Sequence, residues 1–337
     1  MHRQKKLKCL DLFSGIGGNA LALRSICKTV AYCEIDPFAR SVLESNMKRK
    51  NLDKAPIFDD VTTLKAVDVP ELPDVITASF PCQDISSAGK GAGITGERSC
   101  LYKHIFRLVR EFRRHRNHRI SVIVMENSPM IKHRGLDNIE RELRSLGFRF
   151  QSVYRKASDV GTRHERRRWC MVAIDKQSDI DIPCTSFRHN FDNLDSIPVL
   201  LKIEGQPPAN YRRYGSLGNA VVPKVIASVW DEVICSVHVD SQEINRYPLL
   251  SYNTPHVTAT TRLWPTPIRD PRHWRVRHFT RAGSGHEWGN MANRIFYEQG
   301  IQSQFKYTDV KEACKKYVIN SEWIEALMGY PTGWTGI

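Results

Sequence analysis

No apolar run in this 337-residue chain approaches the ~18 residues that a membrane-spanning helix requires. The basic start, MHRQKKLKCLDLF, has too short an apolar part for a secretion signal, and no cleavage pattern follows it. The nine cysteines are scattered and include no C-x-x-C pair, which speaks against a disulfide framework and against a cysteine-held zinc. Internal repeats and low-complexity tracts are also missing. A reduced, cytoplasmic, metal-free chain is the expectation. Acidic residues are the scarcer charge: 36 Asp+Glu against 50 Lys+Arg leave a formal charge of +14, which points to a polyanion, nucleic acid first. With 41% hydrophobic and 26% charged residues the composition is otherwise that of a globular protein, long enough for two domains.

The first 175 residues alternate apolar, β-rich runs with amphipathic stretches. Strands are predicted over Leu7–Leu12, Val30–Glu34, Asp74–Ala78, Ile120–Met125, Phe148–Tyr154 and Trp169–Ile174, and helices over Asn19–Cys27, Pro37–Met47, Ser99–Arg114 and Leu136–Leu146. This rhythm means βαβ units, hence an α/β fold with a doubly wound, largely parallel sheet. A polar stretch, Lys176–Ser196, breaks the rhythm, and a helix over Pro223–Cys235 closes the unit. Beyond it Pro, Trp, Arg and His become frequent and periodicity fades. Two domains are therefore expected, 1–236 and a smaller, irregular 237–337. Ser251–Lys316 alone carries 11 Lys+Arg against 5 Asp+Glu, a net +6.

Four segments carry chemistry. The first strand runs into Asp11-Leu12-Phe13-Ser14-Gly15-Ile16-Gly17-Gly18, whose glycines allow a tight turn and close approach of a ligand at a helix N-terminus. Glu34, which closes the second strand, lies where an acidic residue holds ribose hydroxyls. The glycines of this turn are not spaced G-x-G-x-x-G, so a nucleoside cofactor without a pyrophosphate fits better, with a turn needed only for packing as the alternative. Ser79-Phe80-Pro81-Cys82-Gln83-Asp84-Ile85-Ser86 puts a cysteine just beyond a parallel strand, where catalytic groups gather, although most cysteines are simply small buried hydrophobes. Glu126-Asn127-Ser128-Pro129 ends another strand with a carboxylate, an acid–base candidate or a helix cap. Arg163-His164-Glu165-Arg166-Arg167-Arg168 is a solvated or phosphate-facing patch. Lys103–Arg119, with seven Lys+Arg and three His, reads mainly as a solvated helix face.

In this order the motifs resemble those of the DNA (cytosine-5) methyltransferase family: D-L-F-S-G-I-G-G, C-E-I-D, F-P-C-Q, E-N-S-P, R-H-E-R-R-R and, at Gly218–Val221, G-N-A-V. The resemblance covers roughly residues 7–235. It implies a Rossmann-like fold and transfer of a methyl group from S-adenosylmethionine to C5 of a cytosine flipped out of duplex DNA. By resemblance Cys82 is the nucleophile, Glu126 holds the N3/N4 edge of the base, Arg168 contacts O2 and Arg166 supports the loop. The cofactor is expected against Phe13, Gly15, Gly17, Gly18, Glu34, Ile35, Asp60, Val61, Pro81, Leu101, Asn219 and Val221. For Asp60 a turn-capping role is the alternative.

The chain departs from the family in two places. Only about 40 residues separate Arg168 from Tyr211, short for a base-reading module, whereas about 100 follow G-N-A-V. Ile319–Pro331 resembles the family's penultimate motif, so the last two motifs are exchanged in order. The recognition region is accordingly expected in Val237–Lys316, with Arg262, Arg269, Arg272, Arg275, Arg277 and Arg281, and Ser86 in the cysteine loop, contacting DNA. The helix Ser321–Met328 is expected to dock back on the catalytic domain. Second, Arg163-His164 stands where the family has Pro-Gln. The partner implied is double-stranded DNA, the enzyme a cytoplasmic monomer of a bacterial or phage-infected cell, and a companion restriction endonuclease is left open. Rival readings are an RNA cytosine-5 methyltransferase and a DNA-binding protein without catalysis.

Overall fold

The computed structural model describes residues 5–81, 99–185, 200–202, 211–240 and 317–337. Cys82, Ser86 and the six arginines from Arg262 to Arg281 lie outside these residues.

The strands are β1 (Leu7–Leu12), β2 (Cys27–Cys33), β3 (Ile57–Phe58), β4 (Val75–Ala78), β5 (Val122–Asn127), β6 (Phe148–Lys156) and β7 (Arg167–Asp175). They form one seven-stranded sheet in the order β3-β2-β1-β4-β5-β7-β6. The central strands β1, β4 and β5 are almost wholly buried, as continuous apolar runs such as Val-Ile-Thr-Ala demand of a strand covered on both faces. One face carries α1 (Gly18–Leu23), α2 (Pro37–Lys48), α7 (Pro223–Asp240) and α8 (Ser321–Leu327), around a core that includes Leu21, Leu43, Val225, Trp230 and Trp323. On the other face, α3 (Lys103–Arg116) and α5 (Leu136–Ser145) bury Ile105, Phe106, Phe112, Ile139 and Leu143 against Leu10, Ile76 and Ile123. Short helices α4 (Ile131–Arg134) and α6 (Tyr211–Asn219) and a separate pair, β8 (Leu200–Lys202) with β9 (Tyr317–Ile319), complete the described elements. The doubly wound sheet expected from the alternation is thus present. Among the described residues no helix is long and apolar enough to cross a membrane.

One local expectation is corrected and one strand is added. The first helix stops at Leu23 rather than running to Cys27, because Cys27, Lys28 and Thr29 already pair with Leu7, Lys8 and Cys9. The two-residue β3, too short to show a period, pairs with Tyr32 and Cys33 at the sheet edge.

Strand direction decides where the chemistry falls. The chain passes β1 to one side into β2 and β3 and returns to the other through β4 and β5, so a topological switch point opens between β1 and β4. β7 lies antiparallel between β5 and β6, pairing Glu126 with Cys170 and Asn127 with Trp169. Its first residues therefore sit at the carboxyl edge of β5.

Candidate active site

The glycine turn after β1 has three residues with positive φ: Phe13 at 55°, Gly15 at 54° and Gly17 at 88°. Phe13 is the informative one, since a non-glycine residue in this region stores strain of roughly 1–3 kcal/mol and is held there by its surroundings. Ser14 supplies part of that hold. Its hydroxyl donates to the Asp11 carbonyl at 2.7 Å, and its N–H donates to the Cys33 carbonyl at 3.0 Å. Gly15 N–H donates to Glu34 Oε2 at 2.6 Å, and Asp36 N–H donates to Oε1 at 2.8 Å, so the acid ending β2 is locked beside the turn. Burial pushes the Glu34 carboxyl up, while those two backbone donors pull it back. Beside Gly15 the space is open: a Cβ built there meets nothing within 4 Å. Ile35, the next residue, is 70% exposed, one of few large apolar side chains left uncovered among the described residues.

Of the remaining cofactor candidates, Val61 and Val221 are buried, Pro81 and Leu101 half-buried and Asn219 exposed. Asp60 Oδ1 accepts from Thr62 N–H at 2.8 Å, and this bond holds its carboxyl below the usual range. The turn-capping role is therefore realised, and the β2–β3 pairing, through Glu34 N–H to the Phe58 carbonyl at 2.9 Å, brings Asp60 to the same edge as Glu34.

On the other side of the switch point, Ser79-Phe80-Pro81 is anchored from both flanks. Asn19 Nδ2 donates to Ser79 Oγ at 3.1 Å and to Asp11 Oδ1 at 3.2 Å, and Asn127 Nδ2 donates to the Phe80 carbonyl at 3.0 Å. Asp11 also accepts from Thr77 Oγ1 at 2.6 Å, and desolvation pushes its carboxyl up to about 6. Sequence reasoning missed these anchors. Asn127 stands inside the E-N-S-P motif with no mark of this bond, and nothing in the pattern around Asn19 distinguishes it.

Glu126 and Arg168 meet at the carboxyl edge of β5: Arg168 Nε lies 2.8 Å from Glu126 Oε1, with both side chains largely buried. Arg166 is 4% exposed and donates through Nη1 to the Gly218 carbonyl at 2.9 Å, which ties the arginine motif to the end of α6. His164 is fully buried. Its Nδ1 accepts from Arg166 N–H at 3.4 Å and its Nε2 finds no partner. Burial, reinforced by Arg166 and Arg168, pushes it down to about 3, so it stays neutral. The basic helix α3 begins beside the Asp60 turn, where Arg107 donates through Nη2 to the Val61 carbonyl at 2.8 Å. Arg107 pairs with Glu111, Arg110 with Glu142, and Arg113 and Arg119 both with buried Asp175 at the amino edge. The expected solvated face is met at exposed Arg114 and His115, whereas Arg107, Arg110 and Arg113 are engaged by acids of the chain.

Fold and edge geometry place the chain among α/β proteins that bind ligands at a switch point. Its family is more specific. Residues 7–216 match the model of the C-5 cytosine-specific DNA methylases, and the chain belongs to that family. It is 34% identical over 170 residues to the Type II methyltransferase M.CviJI of Paramecium bursaria Chlorella virus IL3A, covering 50% of this chain and 43% of that protein. To the Type II methyltransferase M2.BsuMI of Bacillus subtilis (strain 168) it is 29% identical over 266 residues, 72% of this chain and 65% of the relative. The solved structure of the S. pombe Dnmt2 methyltransferase aligns with a TM-score of 0.41 at 23% identity, over 52% of this chain and 53% of that one. In each case less than two thirds of the relative's length is spanned.

Proposed function

We propose that the chain is a DNA cytosine-5 methyltransferase using S-adenosylmethionine. The observation that carries this reading is the buried Glu126–Arg168 pair, set at the carboxyl edge beside the loop that leads to Cys82, in a chain of the C-5 methylase family. The residues fit the cofactor. The open space at Gly15 admits a ligand against the turn, the locked Glu34 carboxylate keeps lone pairs for ribose hydroxyls, and Ile35 and Phe13 offer apolar surface to a base. Asp60, Val61, Pro81, Leu101, Asn219 and Val221 complete that assignment. When bound, the cofactor supplies an electrophilic methyl group on a sulfonium.

Cytosine C5 is a weak nucleophile. Addition of the Cys82 thiolate to C6 makes C5 an enamine carbon that can attack the methyl group, splitting one difficult step into easier ones. Glu126 holds the N3/N4 edge and stabilises the protonated ring, while Arg168 neutralises Glu126 in its dry setting and offers donors to O2. Arg166 fixes the backbone that carries Arg168. Loss of the C5 proton and elimination of the Cys82 thiolate release 5-methylcytosine. The target base must leave the duplex stack, a step that costs a few kcal/mol and is offset by phosphate contacts. Those contacts are assigned to Ser86, Arg262, Arg269, Arg272, Arg275, Arg277 and Arg281, and the division into a catalytic unit 1–236 and a recognition unit 237–337 belongs to the same proposal.

Incubation with methyl-labelled S-adenosylmethionine tests the reading. Label should enter duplex DNA and vanish with Cys82→Ala, and bisulfite sequencing should show one recurring site. Label in RNA alone would refute the DNA reading. No transfer to varied DNA by the intact chain would favour a binding protein without catalysis.

A further inference from the structure

The last residues of the chain reach the glycine turn from behind. Trp334 is 1% exposed, and its indole N–H donates to the Ile16 carbonyl at 2.7 Å. The same peptide plane carries Gly17 N–H, which donates to the Ser14 carbonyl at 2.9 Å, so both polar ends of the Ile16–Gly17 peptide are fixed. Tyr330 packs beside Trp334 with ring centroids 5.5 Å apart and donates its hydroxyl to the Val221 carbonyl at 3.0 Å. It closes on Gly18, where a Cβ would overlap the Tyr330 hydroxyl and a Val221 methyl. The segment is held in turn by α2: Asn46 Nδ2 donates to the Trp334 carbonyl at 2.8 Å, and Arg49 donates to the Gly333 and Gly336 carbonyls at 2.6 and 2.8 Å.

The Ile16–Gly17 peptide runs into a glycine of positive φ; the local bond to Ser14 holds its N–H side, and the Trp334 indole is the distant donor that holds its carbonyl side. We propose that Trp334, braced by Tyr330, is a positioning residue of the cofactor site. It sets the Ile16–Gly17 peptide plane in the orientation that receives S-adenosylmethionine. This rests on the turn being the cofactor site. It makes cofactor affinity depend on a segment that follows the whole basic region 241–316 in sequence.

The test uses the full chain with Trp334→Phe, which keeps a ring and removes the N–H donor. Calorimetry should show the Kd for S-adenosylhomocysteine rising about tenfold, the loss of one well-placed hydrogen bond. KM for S-adenosylmethionine should rise in step, while kcat at saturation and DNA affinity change less than about twofold. Without cofactor, amides 14–18 should exchange faster and those of β4 and β5 should not. Tyr330→Phe should shift the same readouts in the same direction by less, and it decides the matter if Trp334→Phe does not fold. Unchanged cofactor affinity with unchanged exchange at 14–18 would overturn the proposal. So would equal losses in cofactor binding, DNA binding and core exchange, which indicate general loosening. If the wild-type chain binds no S-adenosylhomocysteine, the cofactor reading itself falls, and this proposal with it.

Discussion

Two buried ionisable residues, Asp11 and His164, titrate in opposite senses. Asp11 is pushed up to about 6 from 3.8, so between these values the native state holds a proton that the unfolded chain has lost, and stability rises as pH falls. His164 is pushed down to about 3 from 6.5, so the unfolded chain takes up a proton that the native state refuses, and stability falls as pH falls below 6.5. The two largely cancel between pH 6 and 4. Chemical denaturation across that window should therefore split the variants. Relative to wild type, His164→Gln gains and Asp11→Asn loses roughly 2–3 kcal/mol from pH 6 to 4. Parallel curves for all three proteins would show that neither group is buried as described. At this scale Glu34 was legible from its place at the end of the second strand, whereas the roles of Glu126 and Arg168 came from the family resemblance, a helix cap and a solvated patch being the alternatives. The neutral state of His164 was not, because only its enclosure beside two arginines imposes it.

Among the elements, α8 and the turn after it form a latch. Glu325 is fully buried and accepts from the backbone N–H groups of Trp334 and Thr335 at 3.1 and 2.8 Å and from Arg213 of α6 at 3.0 Å. Glu325→Gln keeps one acceptor oxygen but removes the charge facing Arg213 and sets an amide NH2 against one of the backbone donors, so it should cost about 2–4 kcal/mol, read by denaturant titration. A cost below about 0.5 kcal/mol would mean that the latch contributes little. Asn320 caps α8 by accepting from Glu322 N–H at 3.1 Å. The longer helices and strands were legible from periodicity to within a few residues, whereas the short β3 and α4, and α6, were not. The reversed direction of β7 was not, since a nine-residue apolar strand reads the same either way round.

Across the whole molecule the positive charge divides into two populations. Arg107, Arg110 and Arg113 of α3 are engaged with Glu111, Glu142 and Asp175, whereas those from Arg262 to Arg281 carry the proposed DNA contacts. Substituting Arg110 by Ala should leave DNA affinity within about twofold, because that group is already paired with Glu142. Each phosphate-contacting arginine of the second group, changed to Ala, should lower the slope of log Kobs against log salt by about 0.9. Equal salt slopes for all these variants would remove the recognition role from 262–281.

The sequence by itself determined the alternation that makes a doubly wound sheet, the order of motifs along it and the family to which the chain belongs. These are local or sequential properties, written in periodicity and in residues at strand ends. Only the tertiary structure decided that β7 runs backwards and so brings Arg168 to Glu126, that Arg107, Arg110 and Arg113 of α3 are engaged by acids of the chain, and that Trp334 stands behind the turn at Ile16. Each depends on which surfaces bury each other across separations of tens to hundreds of residues, and no local pattern encodes that choice.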